Sequence, residues 1–155
     1  MLSNIRNLVL VAILGFLVSA CATGGSGKRS TNDYYTGTDT VKFLASGVPD
    51  RVFFATNKSA LHSGAKGTLS KQAAYIKSSG ISVVIEGHAD ERGTREYNLA
   101  LGERRANAVR DFLMSQGVSG SKITVISYGK ERPVNPESSR LAWSQNRRSV
   151  TVKAK

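Results

Sequence analysis

From Glu86 to Val109 the chain reads EGHADERGTREYNLALGERRANAV, and acids and bases are interleaved along it. Carboxylates at Glu86, Asp90, Glu91, Glu96 and Glu103 stand among Arg92, Arg95, Arg104 and Arg105. Fixed groups of both signs in so short a span can converge on a ligand that also carries both. A metal or hydrolase reading of His88-Ala89-Asp90-Glu91 finds little support. No third and fourth ligand follow at a recognisable spacing, and the other histidine, His62, belongs to a different segment. A nucleophile motif is also missing, although triads are assembled in space rather than in sequence. The expectation is binding without catalysis, and neither a catalytic residue nor a metal or cofactor is assigned. His88 is expected to hydrogen-bond the loop from a strand end.

The second half of this span has the period of a helix, with Thr94 as its cap and Gly117 beyond its end. At about 100° per residue, Leu99, Gly102, Ala106, Val109 and Leu113 form the stripe that should face the core. Arg104 lies roughly 160° from Gly102 and should meet solvent, whereas Arg105 lies roughly 50° from the stripe, at a half-buried edge. Asn98, Leu101 and Arg105 share the neighbouring face. A guanidinium at such an edge wants a carboxylate that it can grip with two hydrogen bonds. Two readings are open. Asp90 and Arg105 either pair with each other and pin loop to helix, or face a cleft where Asp90 takes an ammonium and Arg105 a carboxylate. The helix N-terminus near Thr94 adds backbone donors that suit the same carboxylate.

The elements that must hold this junction can be read on either side of it. Arg51 to Phe54 has strand propensity. Ala65, Leu69, Ala73 and Ile76 repeat at helical spacing between a cap at Ser63 and a stop at Gly80. Ser82 to Glu86 reads as a buried strand, Ile123 to Tyr128 as the next and Arg148 to Val152 as the last. Ser138 to Gln145 is a candidate short helix after a proline-bearing loop. Strands alternating with helices imply an α/β class, a sheet with helices on one side.

At 155 residues, with 40% apolar and 7% aromatic residues, the chain has room for one modest domain and an appendage. Its formal charge of +11 calls for a partner. The lysines and arginines are scattered rather than gathered in a run, which favours an anionic envelope polymer or membrane face over nucleic acid. The chain's one cysteine, Cys21, follows an apolar run from Leu8 to Val18 that suits a signal peptide and is short for a membrane span. Val18-Ser19-Ala20-Cys21 resembles a bacterial lipobox, in which the cysteine sulfur carries a diacylglycerol and the preceding peptide is cut. Ala22 in place of an aspartate then implies the outer membrane. The expected division is a signal peptide over 1–20, a tether over 21–47 with lipidated Cys21, and a domain over 48–155. The tether is rich in Gly, Ser and Thr, would span roughly 30 Å at random and could stretch to about 90 Å.

The Glu86–Val109 span, together with Ser127-Tyr128-Gly129-Lys130-Glu131 and Asn146-Arg147-Arg148, resembles the peptidoglycan-associated lipoproteins of the OmpA-like peptidoglycan-binding family. The resemblance covers residues 52–152 and implies a β-α-β-α-β core with an added strand. It also implies noncovalent binding of the diaminopimelate of the peptidoglycan stem peptide, which favours the ligand reading of Asp90 and Arg105. Carried over residue by residue, Asn98, Leu101 and the run Glu91, Arg92, Gly93 and Thr94 shape the pocket, with Phe54 packing beside the ligand. Partners implied are peptidoglycan, the periplasmic protein TolB and the Tol complex, for a lipid-anchored protein facing the periplasm. One departure stands out: Ala55 occupies a place where the family usually has an aspartate. If the lipobox is read correctly, a Cys21→Ser chain takes up no labelled palmitate and leaves the membrane fraction. Continued labelling of that chain would remove the reading.

Overall fold

The computed structural model describes residues 33–155; Cys21, the apolar run before it and the first part of the expected tether lie outside them. A small hairpin of β1 (Phe43–Ala45) and β2 (Val48–Pro49) comes first. There follow β3 (Arg51–Phe53), α1 (Ser63–Ser79), β4 (Val83–His88), α2 (Arg95–Ser115), β5 (Ile123–Gly129), α3 (Arg140–Asn146) and β6 (Arg148–Lys153). The main sheet has the order β3-β6-β4-β5. Strand β6 runs antiparallel to β3 and β4, while β4 and β5 are parallel and joined through α2. This is the α/β arrangement expected from the sequence, with a mixed sheet.

The two long helices form because their apolar residues fall on one face and their ends are capped. Leu69, Ala73 and Ile76 of α1 and Ala106, Val109 and Leu113 of α2 meet Val83 and Ile85 of β4 in one core. Each fully buried leucine or isoleucine there contributes about 2 kcal/mol of transfer free energy. Gln72 is also buried, and it is satisfied on both ends, donating to Pro49 O at 2.7 Å and accepting from the Thr151 hydroxyl at 2.7 Å. The α1 cap differs from the expected Ser63 by one residue. His62 is the N-cap, its Nδ1 accepting from the Ala65 amide at 3.2 Å. An imidazole nitrogen does there what a serine oxygen usually does. Gly80 ends the helix in the left-handed region at φ 68°, and Thr94 caps α2.

The core stripe of α2 is displaced at its first turn. Leu99 is 48% exposed, and the buried positions there are Asn98 and Leu101. The reason is the loop that precedes the helix: it needs an amide beneath it, and Asn98 supplies one, as described below. Structure also reaches upstream of the expected domain start at 48. Leu44 is buried, Tyr35 meets Phe53 edge-on at 4.8 Å, and Asp39 accepts from Gln145 Nε2 at 2.9 Å. Residues 33–47 had the composition of a tether, but its few tyrosines and Leu44 are enough to lay it against the sheet.

Helix α2 and strand β4 touch backbone to backbone. A Cβ built on Gly87 would collide with the Gly102 carbonyl, and one built on Gly102 would collide with the Ser127 hydroxyl. Neither glycine is needed for a positive φ; each is needed because no atom fits. Gly87→Ala is therefore expected to lower stability by about 3 kcal/mol, read as an earlier urea midpoint. A midpoint equal to the parent's would show that helix and strand can separate at no cost.

Candidate functional site

The candidate site lies where β3 and β4 end and β6 and α2 begin, beside α3. Behind its arginines is Asp90, 7% exposed. Its carboxylate takes the Arg92 amide and Nε on Oδ1 at 3.1 and 3.0 Å, and the Arg92 Nη2 on Oδ2 at 2.7 Å. Arg147 Nη1 approaches Oδ2 from below at 3.4 Å. Burial pushes the Asp90 carboxyl up, but the hydrogen bonds from Arg92 and the charges of Arg92 and Arg147 prevail and hold it below the usual carboxylate range. The Arg92 guanidinium lies over the Trp143 ring at 4.3 Å, a cation–π stack on an exposed surface.

The loop between β4 and α2 is tied down at each residue. Asn98 Nδ2 donates to Arg92 O at 2.8 Å. Lys130 Nζ donates to Gly93 O at 2.7 Å and to Glu91 O at 3.2 Å. The Glu91 carboxylate accepts from the Ser138 hydroxyl and from Trp143 Nε1 at 2.8 Å. Gly93 takes φ 90°, which an L side chain resists, and the chain then turns into the helix at Thr94. The result is an open cavity of about 320 Å³ lined by Asp33, Thr56, Arg92, Arg140, Trp143 and Arg147. Such a basic cleft, with the Asp33 carboxylate in its lining and Asp90 behind two of its arginines, can hold an anion, or a zwitterion with its ammonium toward an acid.

Arg105 does not sit at a half-buried edge. It is fully covered, and its guanidinium donates to three main-chain carbonyls: His88 at 2.8 Å, Lys58 at 2.9 Å and Ala55 at 3.1 Å. Desolvation and then the charge of Arg147 lower its pKa to about 10, so it stays cationic at neutral pH. No hydrogen bond or ion pair joins it to Asp90 among the described residues, so of the two readings the direct pair gives way to carbonyl anchors. Phe54 is likewise fully buried, with its ring 5.2 Å below the Arg105 guanidinium, and cannot pack beside a ligand at the surface. Leu101 is buried too.

His88 differs from expectation in another way. Among the described residues its ring makes no hydrogen bond; Nε2 is 3.6 Å from Glu86 Oε2, too far for one. Burial first, then the charges of Arg148, Arg51 and Arg132, drive its pKa down to about 3. It is a neutral ring at physiological pH, so the short approach to Glu86 is no ion pair. What His88 contributes is its carbonyl, the acceptor for Arg105.

Residues 53–147 match the model of the OmpA family. The chain belongs to the OmpA family. It is 43% identical over 154 residues to a peptidoglycan-associated lipoprotein of Mesorhizobium japonicum, across 95% of this chain and 92% of that one. With a relative of the same description from Brucella melitensis it shares 57% over 106 residues, covering 68% of this chain and 63% of the other. The crystal structure of the peptidoglycan-associated lipoprotein from Burkholderia pseudomallei superposes with a TM-score of 0.66 at 39% identity, over 68% of this chain and 90% of that one.

Within this OmpA-family frame, Asp90, Glu91, Arg92, Gly93, Thr94 and Asn98 come together in one loop and helix entrance. Arg105, Leu101 and Phe54 lie beneath it. The cleft's other wall is built by Arg147, Trp143, Arg140 and Thr56, none of which the sequence reading placed at the site. Arg147 stands in the quoted Asn146-Arg147-Arg148 motif, and that tandem was the available signal. Trp143 and Thr56 gave none, because their place follows from strand order.

Asp90 links the site to acid stability. Its carboxyl titrates below its unfolded value of about 3.9, so its contribution is complete above that pH and lost as pH falls through the folded value. The urea midpoint of the parent chain is expected to fall more steeply between about pH 4 and pH 2 than that of Asp90→Asn. Parallel curves would show that this carboxylate is not stabilised in the fold.

Proposed function

We propose that this chain binds peptidoglycan noncovalently, through the zwitterionic diaminopimelate end of the stem peptide, as a lipid-anchored outer-membrane protein. The observation that carries the reading is the cleft over Asp90. Three guanidiniums, of Arg92, Arg140 and Arg147, line one small cavity with Trp143, and the Asp90 carboxylate stands behind Arg92 and Arg147, bonded to both. The exposed guanidiniums suit the ligand's carboxylate, and Asp90 its ammonium. Arg105 serves from behind, holding the Ala55, Lys58 and His88 carbonyls so that the strand ends cannot spread. Gly93 and Thr94 offer the helix entrance, and Asn98 fixes the loop. The relatives' description as peptidoglycan-associated lipoproteins supports the polymer, and the lipobox at Cys21 the anchor.

A second reading is an adaptor for TolB and the Tol complex on an overlapping surface. Val134, on the loop before α3, and Leu141, in the first turn of α3, are 37% and 56% exposed and present apolar area that a sugar–peptide polymer does not need. A domain that meets wall or protein through one face can be exchanged between them.

Purified sacculi are expected to co-sediment the chain, and to do so several-fold better when their stem peptide carries diaminopimelate rather than lysine. Asp90→Asn is expected to lose most of this binding with its far-UV circular dichroism unchanged. Equal sedimentation with both polymers, abolished by high salt, would reduce the interaction to attraction by the +11 net charge.

A further inference from the structure

Two donors at the cleft point outward and meet on one spot. The Thr56 amide lies two residues beyond Phe54, whose own N–H still bonds Arg147 O, and it has no partner in the sheet. Arg147 is 3% exposed and spends Nε on Phe54 O at 3.0 Å and Nη1 on Asp90, which leaves Nη2 directed out of the protein. An amide and a guanidinium N–H so placed form a seat for one carboxylate, and the seat is built from a strand end and a buried, doubly anchored arginine.

The seat is filled by the chain itself. Asp33, in the segment ahead of β1, accepts from the Thr56 amide on Oδ2 at 2.8 Å. Arg147 Nη2 donates to Asp33 O at 2.6 Å and stands 3.4 Å from its Oδ1. Burial raises the Asp33 carboxyl, but the Thr56 hydroxyl and amide, Arg147 and Arg92 outweigh it and keep the group below the ordinary range. Asp33 is nevertheless poorly packed, with its side chain 62% exposed. It forms part of the wall of two cavities: the one of about 320 Å³ over Arg92 and Trp143, and a second of about 340 Å³ along Ala55, Lys58, Leu61 and His62. Its neighbours hold the segment from behind, Tyr34 stacked on His62 at 3.7 Å and Tyr35 against Phe53. The Asp33 carboxylate can therefore swing off Thr56 while the segment stays.

We propose that the Asp33 carboxylate is an internal occupant of this seat and competes with an incoming ligand carboxylate for the Thr56 amide, while the main-chain carbonyl of the same residue holds Arg147 Nη2. A seat occupied nine-tenths of the time by its own chain lowers the apparent affinity of a ligand about tenfold. Removing the occupant then strengthens binding, the reverse of what losing a ligand-gripping acid does.

The test uses the full chain in detergent with two probes. Acetate, a bare carboxylate, is titrated while the Thr56 amide resonance is followed. Asp33→Ala is expected to respond at about tenfold lower acetate than the parent, with Asp33→Asn between them. Equal response of parent and Asp33→Ala overturns the proposal. A diaminopimelate-containing stem peptide, whose use rests on the peptidoglycan reading above, is then titrated by calorimetry. Tighter binding to Asp33→Ala agrees with an internal occupant; weaker binding makes Asp33 a ligand-gripping residue and overturns it. If no variant binds the peptide, the peptidoglycan reading fails, and the acetate titration still decides the occupancy of the seat.

Discussion

The structure around the cleft depends on a cation buried without a carboxylate. The Arg105 guanidinium lies fully out of solvent, and its charge is met by three carbonyl dipoles and the face of Phe54. Burying an ion is costly unless hydrogen bonds replace its water, and charge-assisted bonds are about twice as strong as neutral ones. The carbonyls come from two places far apart in the chain, the loop after β3 and the end of β4. One side chain of α2 thus sets the distance between the strand ends that frame the cleft. Because each carbonyl dipole is fixed by its own backbone, the arrangement leaves little slack.

Arg147 repeats the device on the other wall. It too is buried and gives a donor inward to the main chain at Phe54, but its remaining nitrogens reach Asp90 and the surface. The two arginines divide the work: one holds the frame closed, the other carries positive charge from the interior to the cleft. Burial first and then the charge of Arg147 lower the pKa of Arg105, and Asp90 opposes them. The acid behind the cleft is therefore part of the electrostatic frame. Arg148 and Arg51 likewise act on a neutral, buried His88, so buried positive charge recurs away from the cleft in this domain.

Much of the frame was legible before the structure. Periodicity placed the long strands and both long helices, and Thr94 and Gly80 marked helix ends because caps are chosen by local chemistry. The helical phase put Arg104 in solvent correctly. It failed for Leu99, because a period records which side of a helix is apolar and not where a loop presses on it. It failed more fully for Arg105. Charge pairing in a sequence can be guessed only between side chains, and the partners here are carbonyls that every residue owns. Arg147, Trp143 and Thr56 reach the cleft through the strand order β3-β6-β4-β5, a fact of tertiary structure with no local signature.

The backbone contact between Gly87 and Gly102 bears on how this site can vary. With no side-chain layer between strand and helix, the helix cannot slide along the sheet or roll to take up slack. The loop from Ala89 to Thr94 therefore spans a gap of fixed width, and it is already fastened residue by residue. Its chemistry can be rewritten by exchanging one side chain for another, but its length cannot. Descendants of this chain are free to change what the cleft recognises and are held to the same number of residues in doing so.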